Sequence, residues 1–148
     1  GFDNYSGIET LFDENKGLVG NKIWADQGRG WGKPGETPWI VEDMASASIG
    51  QSVVLVTPLQ LARAYAVFAN GGYLITPHLV DNNRNWRSKK YLQKVDIQEK
   101  TLETIRRGLR KVVTSGSGMQ INLDTSILPP VAGKTGTAED SSGGADHA

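Results

Sequence analysis

An α+β domain is the fold class this sequence predicts, and three observations carry it. Two segments, about 58–69 and 97–113, place apolar residues at three- and four-residue steps, the period of a helix with one buried stripe. Short β-prone stretches at 73–75, 78–80 and 131–138 stand in blocks apart from those helices, unlike the alternation of a wound parallel sheet. Eighteen glycines and six prolines among 148 residues require many turns and places of close backbone approach.

The first 25 residues hold short apolar pieces, Ile8, Leu11-Phe12, Leu18-Val19 and Ile23-Trp24, interrupted by Gly7, Gly17 and Gly20. Residues 26–38 follow neither period and read as a glycine- and proline-rich loop. A short helix is expected at 38–46, with Thr37 as N-cap and Pro38, whose missing N–H is harmless in a first turn, as its first residue. The helix at 58–69 has firmer punctuation. Thr57 caps it, Pro58 opens it, and Gln60 completes a Thr-x-x-Gln capping box. Its expected buried stripe is Leu61, Ala64, Tyr65 and Phe68, and Asn70-Gly71-Gly72 ends it. Tyr73-Leu74-Ile75 and His78-Leu79-Val80 read as short strands around Pro77. The helix at 97–113 is capped by Asp96, with Glu99 three residues on, and buries Leu102, Ile105, Leu109 and Val112 or Val113. Glu99 and Glu103 near its start and Arg106, Arg107, Arg110 and Lys111 toward its end lie in the sense the helix dipole favours. Thr114–Gly118 terminates it, and Val131–Ala138 reads as a longer strand.

Charge is balanced, 16 basic against 16 acidic side chains, so nothing recommends a nucleic-acid or anionic-membrane partner. Cysteine is absent, which excludes disulfide staples and thiol chemistry but leaves the compartment open. The chain has no apolar run long enough to span a bilayer and no signal-peptide pattern. Gly1-Phe2-Asp3 is not a natural translation start, and a strand at 131–138 lacks an obvious sheet partner. Both ends therefore read as cuts in a longer protein, with any anchor or export signal outside this chain.

The segment most suggestive of chemistry is Val131-Ala132-Gly133-Lys134-Thr135-Gly136-Thr137-Ala138-Glu139. A lysine among small residues on an edge strand supplies positive potential, the hydroxyls of Thr135 and Thr137 suit a carboxylate, and Gly136 leaves room for a ligand backbone. Taken alone, Lys134-Thr135-Gly136 is a weak signal, more often an ordinary turn or a solvated strand. A serine nucleophile in such a site usually has a lysine one helical turn on, and no serine here does: Ser46 is followed by Ile49, Ser48 by Gln51, Ser52 by Leu55, Ser88 by Tyr91, Ser115 by Gly118 and Ser117 by Gln120. No Ser-x-Asn occurs either. His78 reads as structural and His147 lies in the tail, so no Ser-His-Asp triad is supported. Asp140, Asp146 and His147 lie in a Gly-Ser tail whose bland reading is a solvated loop and not a metal site. The basic end of the second helix reads as a solvated face. Trp24, Trp31, Trp39 and Trp86 read as partly buried loop anchors, with Trp31 and Trp39 able to line a groove.

Ser48-Ile49-Gly50-Gln51, Thr57-Pro58-Leu59-Gln60-Leu61-Ala62-Arg63-Ala64-Tyr65-Ala66, Ala69-Asn70-Gly71-Gly72 and Pro77-His78-Leu79-Val80, taken in order, resemble the transpeptidase domain of class B penicillin-binding proteins. Val112-Val113 with Gly116-Ser117-Gly118, and then Gly133–Glu139, continue the match, while Ser6-Gly7-Ile8-Glu9 and Gly17-Leu18-Val19 resemble the stretch that opens this half of the domain. The resemblance covers residues 1–148, and the Ser48–Gln51 form is more similar to the elongation-type subgroup, penicillin-binding protein 2, than to the division type.

The resemblance implies a serine transpeptidase/β-lactamase-like fold, an antiparallel sheet flanked by helices with the active site beside the Lys-Thr-Gly strand. It implies a serine that attacks the penultimate D-alanine carbonyl of a peptidoglycan stem peptide, releases the terminal D-alanine and passes the acyl group to an amine of a neighbouring stem. On this reading Lys134 supports the proton relay and positive potential. Thr135 and Thr137 bind the substrate carboxylate, the Thr137 N–H serves the oxyanion hole, and Gly136 lets the substrate strand lie against the protein edge. The helix starting at Thr57 packs. No cofactor or metal is implied.

The implied partners are stem peptides, β-lactams and a membrane glycosyltransferase of the elongation machinery. The implied place is the inner membrane, facing the periplasm. Ser52 stands where the family more often has glycine, which bears on the local turn. The nucleophile and Ser-x-Asn motifs are expected upstream of residue 1 and further strands beyond residue 148, so this chain reads as the C-terminal portion of a catalytic domain, inert alone. Two rivals keep the Lys-Thr-Gly strand: a serine β-lactamase, against which Thr57–Tyr65 and Ala69–Gly72 argue, and a non-catalytic β-lactam sensor or scaffold.

Overall fold

A computed structural model describes residues 1–8, 13–30, 32–79, 91–121 and 129–136. The chain is α+β as expected, with four helices and two small sheets among the described residues. It divides into two compact units, Gly1–Val67 with Leu74–Lys94, and Phe68–Tyr73 with Val95–Ala148.

In the first unit, β1 (Leu18–Val19) pairs antiparallel with β2 (Val54–Leu55), Leu18 opposite Leu55 and Val19 opposite Val54. The pair is tight enough to need glycine at one end: a Cβ on Gly17, which has φ of +66°, would sit 2.4 Å from the Leu55 carbonyl oxygen. Between these strands, α1 (Lys22–Asp26) starts at Asn21, whose side-chain oxygen accepts from the Trp24 N–H at 3.0 Å, a standard way to satisfy a first-turn donor. Ala25 of α1 and Val53 beside β2 are buried in this unit's core.

The described residues of 27–38 form turns and irregular loop, as their composition requires, and Arg29 ties them together. Arg29 itself has φ of +54°. Its guanidinium lies over the Trp24 ring at 5.7 Å, Nε donates to the Thr37 carbonyl at 3.2 Å and Nη2 to the Pro38 carbonyl at 2.8 Å. It also pairs with both carboxylate oxygens of Asp43. That guanidinium, followed by the Ile40 N–H, lowers the Asp43 pKa from 3.8 to about 2. This network explains why the helix expected at 38–46 begins later. Thr37 and Pro38 are held as carbonyl acceptors for Arg29, so α2 runs Val41–Ser48 with Ile40 at its N-cap. Asp43, the N3 residue, accepts from the Ile40 N–H at 3.0 Å, and Thr37 does not cap.

After α2, Ser52 has φ of +59°. The departure from glycine noted in the sequence thus falls at a left-handed residue, where a Cβ costs roughly 1 kcal/mol. Ser52 is exposed, so Ser52→Gly is expected to stabilise the folded protein by about 0.5–1 kcal/mol. Denaturant unfolding measures this, and a destabilised variant would show that the serine side chain supplies more than it strains.

Helix α3 spans Pro58–Ala69, within the expected bounds. The capping box forms in both directions, Gln60 N–H to Thr57 Oγ1 at 3.2 Å and Thr57 N–H to Gln60 Oε1 at 2.9 Å. Its buried face differs from the expected one. Gln60, Arg63 and Val67 are buried, whereas Leu61 and Tyr65 are 45% and 36% exposed. Polar side chains take the inside because backbone carbonyls there need donors: Gln60 Nε2 donates to Asn4 and Lys16, and Arg63 Nε to Ile75 at 2.7 Å.

Strand β3 (Tyr73–Ile75) is where the sequence places it, but its partner is β4 (Leu92–Lys94). The Thr76 N–H donates to the Tyr91 carbonyl at 2.8 Å, and Pro77, which has no N–H, cannot extend the ladder. His78-Leu79 is accordingly not strand, and Val80 lies outside the described residues. The His78 ring instead meets Tyr91, centroids 6.0 Å apart, in keeping with a structural role.

In the second unit, α4 (Glu99–Ser115) follows Gln98 as N-cap with no side-chain cap, so Asp96 does not cap it. The Ile97 N–H donates to the Val95 carbonyl at 2.9 Å, and the helix starts two residues later than expected. The expected stripe holds: Leu102 and Val113 are fully buried, with Ile105, Leu109 and Val112 half-buried. Because α4 continues to Ser115, its basic residues do not reach the last turn. Arg106 donates to the Phe68 carbonyl and pairs with Glu99, and Arg110 donates to the Val131 carbonyl, while Arg107 and Lys111 are solvated. A 3-10 turn, Met119–Ile121, packs against α4.

Candidate functional site

Everything the structure describes of the Lys134 segment lies in the second unit and is built on α4. Residues 131–136 form neither helix nor strand. Among the described residues no strand pairs with them, and two of their backbone groups are bonded to the helix. The Gly133 N–H donates to the Leu109 carbonyl at 3.2 Å, and Arg110 donates to the Val131 carbonyl. The expected strand over Val131–Ala138 is thus replaced, as far as it is described, by a segment hung on α4. Thr137, Ala138 and Glu139 lie outside the described residues.

A third attachment joins side chains. Ser117, between Gly116 and Gly118 just past the end of α4, places its Oγ 2.7 Å from Thr135 Oγ1. The attachments therefore fall at Val131, Gly133 and Thr135, alternate residues of one short segment.

Lys134, Thr135 and Gly136 are all exposed. Lys134 Nζ donates to the Thr135 carbonyl at 2.7 Å. A Cβ built on Gly136 would meet nothing within 4 Å, and the same holds for Gly133. The arrangement offers an ammonium and a hydroxyl beside a stretch of backbone that another chain can approach, which suits a carboxylate-terminated peptide. It brings together the described three of the four residues expected at the site, Lys134, Thr135 and Gly136; Thr137 is outside the described residues.

The sequence did not single out Ser117, Leu109 or Arg110 for this segment. Gly116-Ser117-Gly118 was visible as a motif, but nothing in it names a contact 18 residues away. Among the described residues no group of three or more His, Asp or Glu could hold a metal ion; Asp140, Asp146 and His147 lie outside them. Trp24 and Trp39 are half-buried, Trp39 in a loop as expected and Trp24 within α1 instead, while Trp31 and Trp86 lie outside the described residues.

Comparison with known proteins places this geometry in context. A family model described as the penicillin-binding protein transpeptidase domain matches residues 16–148. The chain is 30% identical over 145 residues to the peptidoglycan D,D-transpeptidase MrdA of Acinetobacter baumannii, covering 94% of this chain and 20% of that protein. It is also 30% identical over 145 residues to MrdA of Haemophilus influenzae, covering 94% and 21%. Penicillin-binding protein 2A of Bacillus subtilis is 36% identical over 95 residues, 56% of this chain and 13% of that protein. The chain spans about a fifth of the length of the MrdA relatives it matches.

Proposed function

This chain belongs to the penicillin-binding protein transpeptidase domain family, and on that premise we propose that it is the C-terminal portion of the catalytic domain of a peptidoglycan D,D-transpeptidase. The observation that carries the reading is the exposed Lys134-Thr135-Gly136 segment, fixed to α4 at Val131 and Gly133 and to Ser117 at Thr135, within a family match over residues 16–148.

In the intact enzyme a serine outside this chain attacks the stem-peptide carbonyl. Lys134 supplies positive potential and supports the proton relay, so that charge developing on the substrate meets a fixed cation. The Thr135 and Thr137 hydroxyls bind the terminal carboxylate, and the Thr137 N–H donates to the oxyanion. Gly136, with open space where a side chain would be, lets the stem peptide run along the backbone. A β-lactam carries a carboxylate at a comparable distance from its reactive carbonyl, enters the same contacts and acylates the serine.

The Ser48–Gln51 form and the identity to MrdA support an elongation-type enzyme; a membrane glycosyltransferase as partner and a catalytic domain facing the periplasm are part of the proposal. Among the described residues no helix is long and apolar enough to cross a membrane.

Labelling with a fluorescent penicillin tests the reading. The full-length protein is expected to label stably and this chain alone not at all, because no serine in it has a lysine three residues on. Labelling of the isolated chain would overturn the assignment, and rapid hydrolysis of the label by the full-length protein would favour a β-lactamase.

A further inference from the structure

We propose that Ser117 is a positioning residue for Thr135: its hydroxyl orients the Thr135 hydroxyl so that the pair forms a short relay ending on the ligand's carboxylate. The inference rests on the transpeptidase reading above.

The geometry begins at the end of α4. Gly118 N–H donates to the Val112 carbonyl at 2.9 Å. A Cβ on Gly116 would lie 2.9 Å from Val112 Cα, and one on Gly118 would lie 3.2 Å from Val112 Cγ1. Both glycines are therefore packed onto the last turn of the helix, and the residue between them is held with its side chain exposed. From there Ser117 Oγ reaches Thr135 Oγ1 at 2.7 Å, a full-strength hydroxyl–hydroxyl distance.

A hydroxyl has one proton to donate and two lone pairs that accept. To hold a carboxylate, Thr135 must donate its proton outward. If Thr135 donated to Ser117 instead, that proton would be used within the protein. A bound carboxylate therefore selects one direction: Ser117 donates to Thr135, and Thr135 donates to the ligand. Donation from Ser117 polarises the Thr135 O–H and strengthens its outward bond. It also removes the rotational freedom that an isolated surface hydroxyl would lose on binding. Val131 and Gly133 fix the backbone of the same segment against α4, so the Ser117 contact completes the support at the side chain that touches ligand. Such support determines whether a binding group sits within the few tenths of an ångström its task needs.

The test uses the full-length protein and two probes, benzylpenicillin and its methyl ester, which lacks the anionic carboxylate. Ser117→Ala is expected to lower the acylation rate by benzylpenicillin about five- to tenfold, and that by the ester less than about twofold, as loss of one hydrogen bond to a charged ligand's binding group should. Ser117→Thr restores the hydroxyl and the rate. In a Thr135→Val background, Ser117→Ala adds nothing further, since it acts through Thr135.

An unchanged benzylpenicillin rate, an equal loss with both probes, or no rescue by threonine would each overturn the inference. Should the alanine variant fold poorly, Ser117→Val against Ser117→Thr makes the same comparison at matched volume. Failure of the underlying reading looks different: wild type would not be acylated, or Lys134→Ala would be acylated at the wild-type rate. A crippled Lys134→Ala beside a fully active Ser117→Ala rejects the Ser117 role alone.

Discussion

Lys134→Ala in the full-length protein is expected to slow acylation by β-lactams about a hundredfold or more, as loss of an electrostatic group aimed at developing charge does. The size rests on the role proposed for Lys134 in acylation, and the control on where its ammonium sits. Lys134 is exposed, and its described contact is with the carbonyl of the next residue, 2.7 Å away. Its removal therefore leaves no buried partner unpaired, and the segment's attachments through Val131, Gly133 and Thr135 remain. A rate loss without a stability loss would then report on the reaction and not on the fold. Time-resolved labelling with a fluorescent penicillin gives the rate, and a thermal melt of the same sample gives the control. Near-normal acylation would mean that this segment has been assigned to the wrong wall of the site.

The second large effect is expected at Gln60, 1% exposed in the first unit. One side-chain amide serves three backbone groups: Oε1 accepts from Thr57 N–H at 2.9 Å, and Nε2 donates to Asn4 and Lys16 carbonyls at 2.8 and 2.7 Å. Gly17 makes room for it, since a Cβ there would lie 2.9 Å from Oε1. Gln60→Leu keeps the bulk and removes every bond, so about 3 kcal/mol of stability should go, near 1 kcal/mol for each group left wanting. Denaturant unfolding and amide exchange at Thr57 measure it. A loss well under 1 kcal/mol would show that water replaces the amide at all three places.

Gln60 also shows what a sequence can and cannot disclose. Its capping role was legible, because a capping box is a contact between residues three apart and depends on local geometry alone. Its burial was not. Apolar periodicity points to Leu61 and Tyr65 as the inner face of α3, but the carbonyls of Asn4, Lys16 and Ile75 draw Gln60 and Arg63 inward, and periodicity does not register a demand for donors. The stripe of α4 was legible because Leu102 and Val113 bury hydrocarbon with no such competition. Strand β3 could be read from Tyr73-Leu74-Ile75, but not its partner, because Leu92-Gln93-Lys94 is short and half polar. The Val53–Val56 run did carry a β-branched signal for β2.

At the candidate site, Lys134, Thr135 and Gly136 could be named from the tripeptide and its flanks. What holds them could not, because Leu109, Arg110 and Ser117 reach that segment across gaps of 18 to 24 residues. The same reason hid the Arg29–Asp43 pair, which decides where α2 begins.

The Arg29 network has a further consequence, for the order in which the protein takes shape during synthesis. Its partners, Trp24, Thr37, Pro38 and Asp43, all lie within a span that ends at residue 43. The ribosome adds about 5–20 residues each second, whereas a loop of this size closes in well under a millisecond. The loop can therefore lock on the nascent chain as soon as Asp43 emerges, seconds before Lys134 has been translated.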